Sequence, residues 1–360
     1  MKNVLITGST GFLGSNIVKQ LLKIKKNILY LLVRSKNDLS SAKRIQNVFS
    51  EKYIDLHKGR VVVVEGDITR KDVGLKPQDK KELISNIDTI FHSAAMCEFG
   101  VPLERIRKIN VEGTRNILDL ALECEKENSH ISFNHISTVG VAGSSGGMFY
   151  EKDLDVKQEF NNTYEFTKFE AEKLINEYRK MGLSISIFRP TIITGDSKTG
   201  EVNNFKMLYQ PLHIFSLELF NEIPANIEMK YNLVPVDYVA NAICSISSKR
   251  DNCNMNYHLS NPSNITLEYF LEIASEYFGF KKPKIAYGNN YNYKKLNGFR
   301  RRLLEHYLPY FNHKKIYFDA SNFNEAVNDE KFRWPKVDKN FLIKLFKYCT
   351  KTGYIKRKHN

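Results

Sequence analysis

The stretch Thr7-Gly8-Ser9-Thr10-Gly11-Phe12-Leu13-Gly14 constrains this chain more than any other. It follows an apolar run, Asn3-Val4-Leu5-Ile6, that reads as a strand. It opens a segment whose Ile17, Val18, Leu21 and Leu22 recur at helical spacing. Strand, glycine turn and helix in that order are the context of a dinucleotide-binding unit. Gly8 permits the tight turn, Gly11 lets the backbone approach a pyrophosphate, and Gly14 lets the helix pack close to the strand. The start of the helix, around Thr10, Phe12 and Leu13, offers unpaired N–H groups and a partial positive charge to phosphates.

The next segments of the chain suit a parallel α/β sheet. Ile28 to Val33 is a continuous apolar run, as suits a strand buried on both faces. It ends at Arg34. An acid near this strand end takes the ribose 2′-hydroxyl of NAD, whereas an arginine accommodates the 2′-phosphate of NADP. Arg34 therefore favours NADP, with Arg44 on the next predicted helix as a second phosphate contact. Asp38 is a rival acid in a polar loop. Val61–Val64 is a third strand, and Asp67 and Ile68 just past it are placed to meet an adenine. Thr89–His92 is a fourth, opening into Ser93-Ala94-Ala95, whose small side chains let the backbone lie against a cofactor. His92 reads as a packed strand residue. A long helix from about 102 to 126 carries Asn110. Ile131–Ile136 is the fifth strand, with Thr138 just beyond its carboxyl end, where ligands gather in such sheets.

The chemical centre is Tyr164 with Lys168. They lie one helical turn apart and share a face, at the start of a helix whose Asn162 and Glu165 are spaced as a capping box. An ammonium beside a phenol, together with the positive nicotinamide ring, favours the phenolate and lowers its pKa. Tyr164 can then serve as general acid or base, with Thr138 hydrogen-bonded to a substrate carbonyl. Ser184–Phe188 is the sixth strand. Arg189 reads as a structural ion-pair partner. Pro190 is expected to end the strand and leave the backbone of Thr191 and Ile192 free for the cofactor.

Composition narrows the function classes. At 360 residues the chain suits one large α/β domain and a smaller appended region. No apolar run is long enough to span a membrane, and a strand so near the N-terminus leaves no room for a signal peptide. The expectation is a cytoplasmic protein. The five cysteines show no zinc or Cys-x-x-Cys spacing and read as buried free thiols, so no metal is expected. Residues 281–360 hold 20 Lys and Arg against 6 Asp and Glu, so the formal net charge of +14 lies in that part. Such a field attracts an anionic partner. The sequence has no recognised nucleic-acid motif, so none is expected to bind.

Taken together, the glycine turn, Gly66-Asp67-Ile68, Ser93-Ala94-Ala95, Asn110-Val111-Glu112-Gly113-Thr114, Ser137-Thr138, Tyr164-x-x-x-Lys168 and Arg189-Pro190 resemble the extended short-chain dehydrogenase/reductase superfamily. Leu32-Val33-Arg34 with Arg44, Gly195-Asp196-Ser197-Lys198-Thr199-Gly200, and the ending from Pro335 to Tyr354 are similar to its thioester reductase-like group. That group includes fatty acyl-CoA reductases and the terminal reductase domains of carboxylic acid reductases and peptide synthetases. The resemblance implies a Rossmann-type doubly wound parallel sheet with a smaller, mostly helical C-terminal region. It implies reduction of an acyl thioester by NADPH to an aldehyde, or on to an alcohol. Thr138 and Tyr164 would polarise the carbonyl and Lys168 would also hold the nicotinamide ribose. The acyl group would ride on coenzyme A or on an acidic carrier protein acting in trans.

The expected division is an NADP-binding domain over 1–189, completed by about 234–260. A substrate-binding insertion would span 190–233, and a basic substrate region 261–360. The apolar residues between Phe205 and Phe220 read either as an acyl-chain cover or as ordinary core. The basic helix around Phe341–Lys347 suits peripheral membrane contact or docking on the domain. The same scaffold also serves ketone or hydroxysteroid-type reductases and dehydrogenases, sugar-nucleotide epimerases, and non-catalytic NADP sensors.

Overall fold

The densest apolar runs of the chain become the strands of one sheet. In the computed structural model these are β1 (Asn3–Thr7), β2 (Ile28–Val33), β3 (Val61–Glu65), β4 (Thr89–His92), β5 (Ser132–Ile136), β6 (Ser184–Pro190) and β7 (Asn256–Leu259). The structure describes residues 2–358 apart from 56, 129, 227–228, 250–252, 287–297, 312–314 and 329–331. The seven strands run parallel in the order β7-β6-β5-β4-β1-β2-β3. The order reverses between β1 and β4, and the crevice beyond their carboxyl ends is where such sheets bind ligands.

Alternation along each strand feeds two layers. Val4 and Ile6 of β1 face α1 (Phe12–Leu21) and α5 (Val236–Ile246); α2 (Ser41–Val48) adds Ile45 to that core. Leu5 faces the opposite way, towards α3 (Gly113–Asn128) and α4 (Thr163–Lys180). Gly14 is obligatory in this packing: a Cβ there would lie 2.1 Å from Gly8 O. Gly8 itself has φ +72°, and a Cβ on it would lie 2.7 Å from Ala94 N. The expected long helix around Asn110 is interrupted. Leu103–Arg107 passes through a π-helical stretch, Lys108–Glu112, before α3 begins.

A second core joins apolar residues of 202–233 to those of 265–355. Leu208, Leu212, Phe215 and Phe220 are buried in it, which favours the ordinary-core reading for this segment. Its helices include α6 (Leu267–Phe278) and α7 (Lys339–Lys351). The buried face of α7 comprises Phe341, Leu342, Leu345, Phe346 and Cys349, so this face packs inward and is not offered to a membrane. The Gly195–Gly200 turn seats α7: a Cβ on Gly200 would lie 2.3 Å from Lys344 O, and Lys344 Nζ donates to Ser197 O at 3.1 Å.

Candidate active site

The β1–α1 turn opens into a cleft lined by Gly8, Thr10, Gly11, Asp67, Ile68 and Ala94. Arg34 and Arg44 line it from the β2 side. Arg44 Nη1 donates to Arg34 O at 2.6 Å and Nη2 to Thr10 Oγ1 at 3.0 Å. Burial and the neighbouring Arg34 charge push the Arg44 guanidinium below its ordinary pKa. Two guanidinium groups thus line one cleft. Asp38 is exposed in the loop beyond β2.

Several expected cofactor residues also brace the cleft. Asp67 Oδ1 accepts from Thr69 N at 2.9 Å and Thr69 Oγ1 at 2.8 Å. Leu13 is core, and Phe12 packs against both hydrophobic cores. Asn110 is buried. Its Oδ1 accepts from Met96 N at 2.8 Å, and its Nδ2 donates to Met96 O and Thr167 Oγ1, both at 3.1 Å. It clamps the loop after β4 onto α4. β6 ends at Pro190, as expected. The backbone that follows is not free, however: Thr191 N donates to Leu259 O and Ile192 N to Asn232 O, both at 3.2 Å. Ile192–Thr194 then forms a short parallel strand with Leu233–Pro235.

Thr138 caps the turn after β5, its Oγ1 accepting from Gly140 N at 3.1 Å. The Tyr164 phenol, from the first turn of α4, lies close enough to Thr138 and Cys97 for both to act on its ionisation. Lys168 is buried, and its Nζ donates to His135 Nε2 at 2.9 Å and Ile136 O at 2.8 Å. The expectation that Lys168 lowers the Tyr164 pKa is not met here. Burial, then Cys97 and Tyr310, push the phenol well above its usual value. The ammonium is turned towards β5, and burial lowers its own pKa to about 8. One turn along, Glu172 is fully buried with Arg189, whose Nη2 lies 2.6 Å from Glu172 Oε2. Arg189 is the structural partner expected of it.

The capping box closes one residue early. Asn162 Oδ1 accepts from Glu165 N at 3.0 Å, but Glu165 Oε2 accepts from Asn161 N at 2.9 Å rather than from Asn162. Tyr310 occupies the space this leaves. Its hydroxyl donates to Glu165 Oε1 at 2.7 Å and accepts from Asn162 Nδ2 at 2.6 Å. Its ring stacks on Phe99 at 5.6 Å, and Phe99 stands 6.5 Å from Tyr164. Cys97, Phe99 and Tyr310 were not legible in the sequence. None belongs to a motif, and Tyr310 comes from 146 positions further along. Cys97 is also exposed, contrary to the expected burial of the cysteines. Among the described residues no cluster could hold a metal.

Residues 6–243 match the NAD-binding family described as Male sterility protein. The chain belongs to that family. Its relatives include a linear gramicidin synthase chain of Brevibacillus parabrevis, 28% identical over 293 residues, or 78% of this chain and 6% of that protein. A fatty acyl-CoA reductase of Drosophila melanogaster is 26% identical over 278 residues, 67% of this chain and 53% of that protein. The terminal R domain of the myxalamid PKS-NRPS pathway superposes with TM-score 0.83 at 26% identity, covering 100% of this chain and 93% of that one. The chain thus spans about half of one curated relative and a small part of the other. It has the nicotinamide-dinucleotide-binding fold of that family.

Proposed function

We propose that this family member reduces an acyl thioester to an aldehyde and a free thiol with NADPH, and can carry the aldehyde on to an alcohol. The observation that carries the reading is the meeting of Thr138 and Tyr164 beyond the β5 end, one helical turn from Lys168, in a chain whose nucleotide cleft presents Arg34 and Arg44. The residues fit the dinucleotide: Gly8 and Gly14 exclude side chains from the turn, and the two arginines suit a 2′-phosphate. NADPH supplies the hydride when bound. Gly11, Thr10 and the α1 N-terminus would hold the pyrophosphate, and Lys168 the nicotinamide ribose.

The thioester carbonyl oxygen would sit between Thr138 Oγ1 and the Tyr164 phenol. A phenol held neutral at working pH is a proton donor, so Tyr164 would protonate that oxygen as the carbonyl carbon is reduced. The resulting hemithioacetal loses the thiol and leaves the aldehyde. Phe99 and Tyr310 would exclude water from the acyl side. We assign substrate binding to 190–233 and 261–360, which share the second core. The partner is an acyl group on coenzyme A or an acidic carrier, supported by Arg301 and Arg302 on the helix leading towards Tyr310. Free cysteines support a cytoplasmic setting. Among the described residues no helix is long and apolar enough to cross a membrane. Trapping the product as a hydrazone from acyl-CoA and NADPH tests the reading; no trapped aldehyde and no alcohol from any thioester would refute it.

A further inference from the structure

His135 lies fully buried near the end of β5, with no part in the chemistry above, yet it touches the ammonium that has one. A charged Lys168 has only donors. His135 Nε2, 2.9 Å away, is therefore the acceptor, and the imidazole proton sits on Nδ1. That Nδ1 is buried and has no partner among the described residues. A buried donor without an acceptor is destabilising, and such groups call for a functional explanation.

The neighbouring histidine cannot take up that proton. Thr114 Oγ1 donates to Asn110 O at 2.7 Å, so His92 Nε2 must be the donor to Thr114 Oγ1 at 3.0 Å. Ala94 N donates to Thr7 Oγ1 at 3.2 Å, and Thr7 Oγ1 donates to His92 Nδ1 at 2.8 Å. Both nitrogens of His92 are thereby committed. Its ring packs on His135 at 5.4 Å between centroids, in the β4–β5 register His92 to His135. The groups acting on His135 are Lys168 and Arg179 of α4 and His92 of β4; those acting on Lys168 are Cys97 and Glu172. Burial keeps both imidazoles neutral.

We propose that His135 is the positioning residue for Lys168: its bare Nε2 and the Ile136 carbonyl hold two of the three ammonium N–H groups and leave the third for the bound dinucleotide. The orphaned Nδ1–H is the consequence of presenting Nε2 as an acceptor. This rests on the reading of Lys168 as the lysine that holds the nicotinamide ribose.

NADPH affinity, followed by nicotinamide fluorescence against pH, tests it in wild type, His135→Leu, His135→Gln and Lys168→Met. Leucine offers no acceptor, so the pH above which affinity falls is expected to drop by about one pH unit in His135→Leu. Glutamine places an amide oxygen near the site of Nε2 and is expected to restore it. A folded His135→Leu with the wild-type pH dependence, or a His135→Gln that behaves like it, overturns the proposal. Should His135→Leu not fold, the nitrogen-15 shifts of the wild-type imidazole decide: a bare Nε2 is expected, and a protonated one overturns the proposal. Lys168→Met binding NADPH as tightly as wild type would contradict the role of Lys168 instead, while the imidazole shifts still report on His135.

Discussion

Arg44 reaches across the nucleotide cleft to donate to the carbonyl oxygen of Arg34 at 2.6 Å, so a residue of α2 is tied to the end of β2. Both guanidinium groups line the same cleft. Arg44→Ala is expected to weaken NADPH binding about 10- to 100-fold, the range of one charged hydrogen bond, with NADH affinity changed far less. Titrating both nucleotides checks this. An equal loss for both would show that Arg44 only props the cleft.

Lys168 sets an alkaline limit. Burial lowers its pKa to about 8, so the ammonium is present below that pH and lost above it. For the free enzyme kcat/KM is expected to fall as pH rises through about 8. In stability the sign is opposite. The unfolded chain keeps its lysine proton up to about 10.4, so between about 8 and that value unfolding takes up a proton, and the contribution of Lys168 to stability rises with pH. A pH profile of kcat/KM beside chemical denaturation across the same range separates the two effects.

The pair of Glu172 and Arg189 is fully buried, with both side chains inaccessible. Removing one charge strands the other. Glu172→Gln is expected to destabilise the fold by about 3–5 kcal/mol, read from the denaturant midpoint. A change below about 1 kcal/mol would mean that Arg189 is sufficiently held by the Glu151 and Asp153 carbonyls, which it also meets at 3.2 and 2.8 Å.

Arg301→Glu with Arg302→Glu is expected to raise KM for an acyl group on an acidic carrier or coenzyme A and to leave kcat nearly unchanged, since the helix lies outside the reacting groups. An uncharged thioester surrogate of the same acyl length is the control. Equal KM changes for both substrates would remove the charge argument.

Local rules expose much of this molecule. The β1–α1 turn, the apolar strands and the Tyr164–Lys168 spacing are legible because each rests on neighbours within a few residues. The strand past Pro190 is not, since its hydrogen bonds come from Asn232 and Leu259. Nor is the roof over Tyr164, where Phe99 and Tyr310 meet across the whole fold. The direction of the Tyr164 pKa departs from expectation for a related reason. Sequence spacing puts Lys168 on the same face, but only the fold shows the ammonium committed to His135 and Ile136.

The most direct test of thioester reduction is to follow NADPH consumption and free thiol together, with a panel of acyl-CoA thioesters against matched ketones. Thiol is expected to appear with NADPH loss at a fixed ratio, and kcat to drop by about 10²–10⁴ in Tyr164→Phe. Turnover of ketones with no thiol release from any thioester would contradict it and make the chain a carbonyl reductase on the same scaffold.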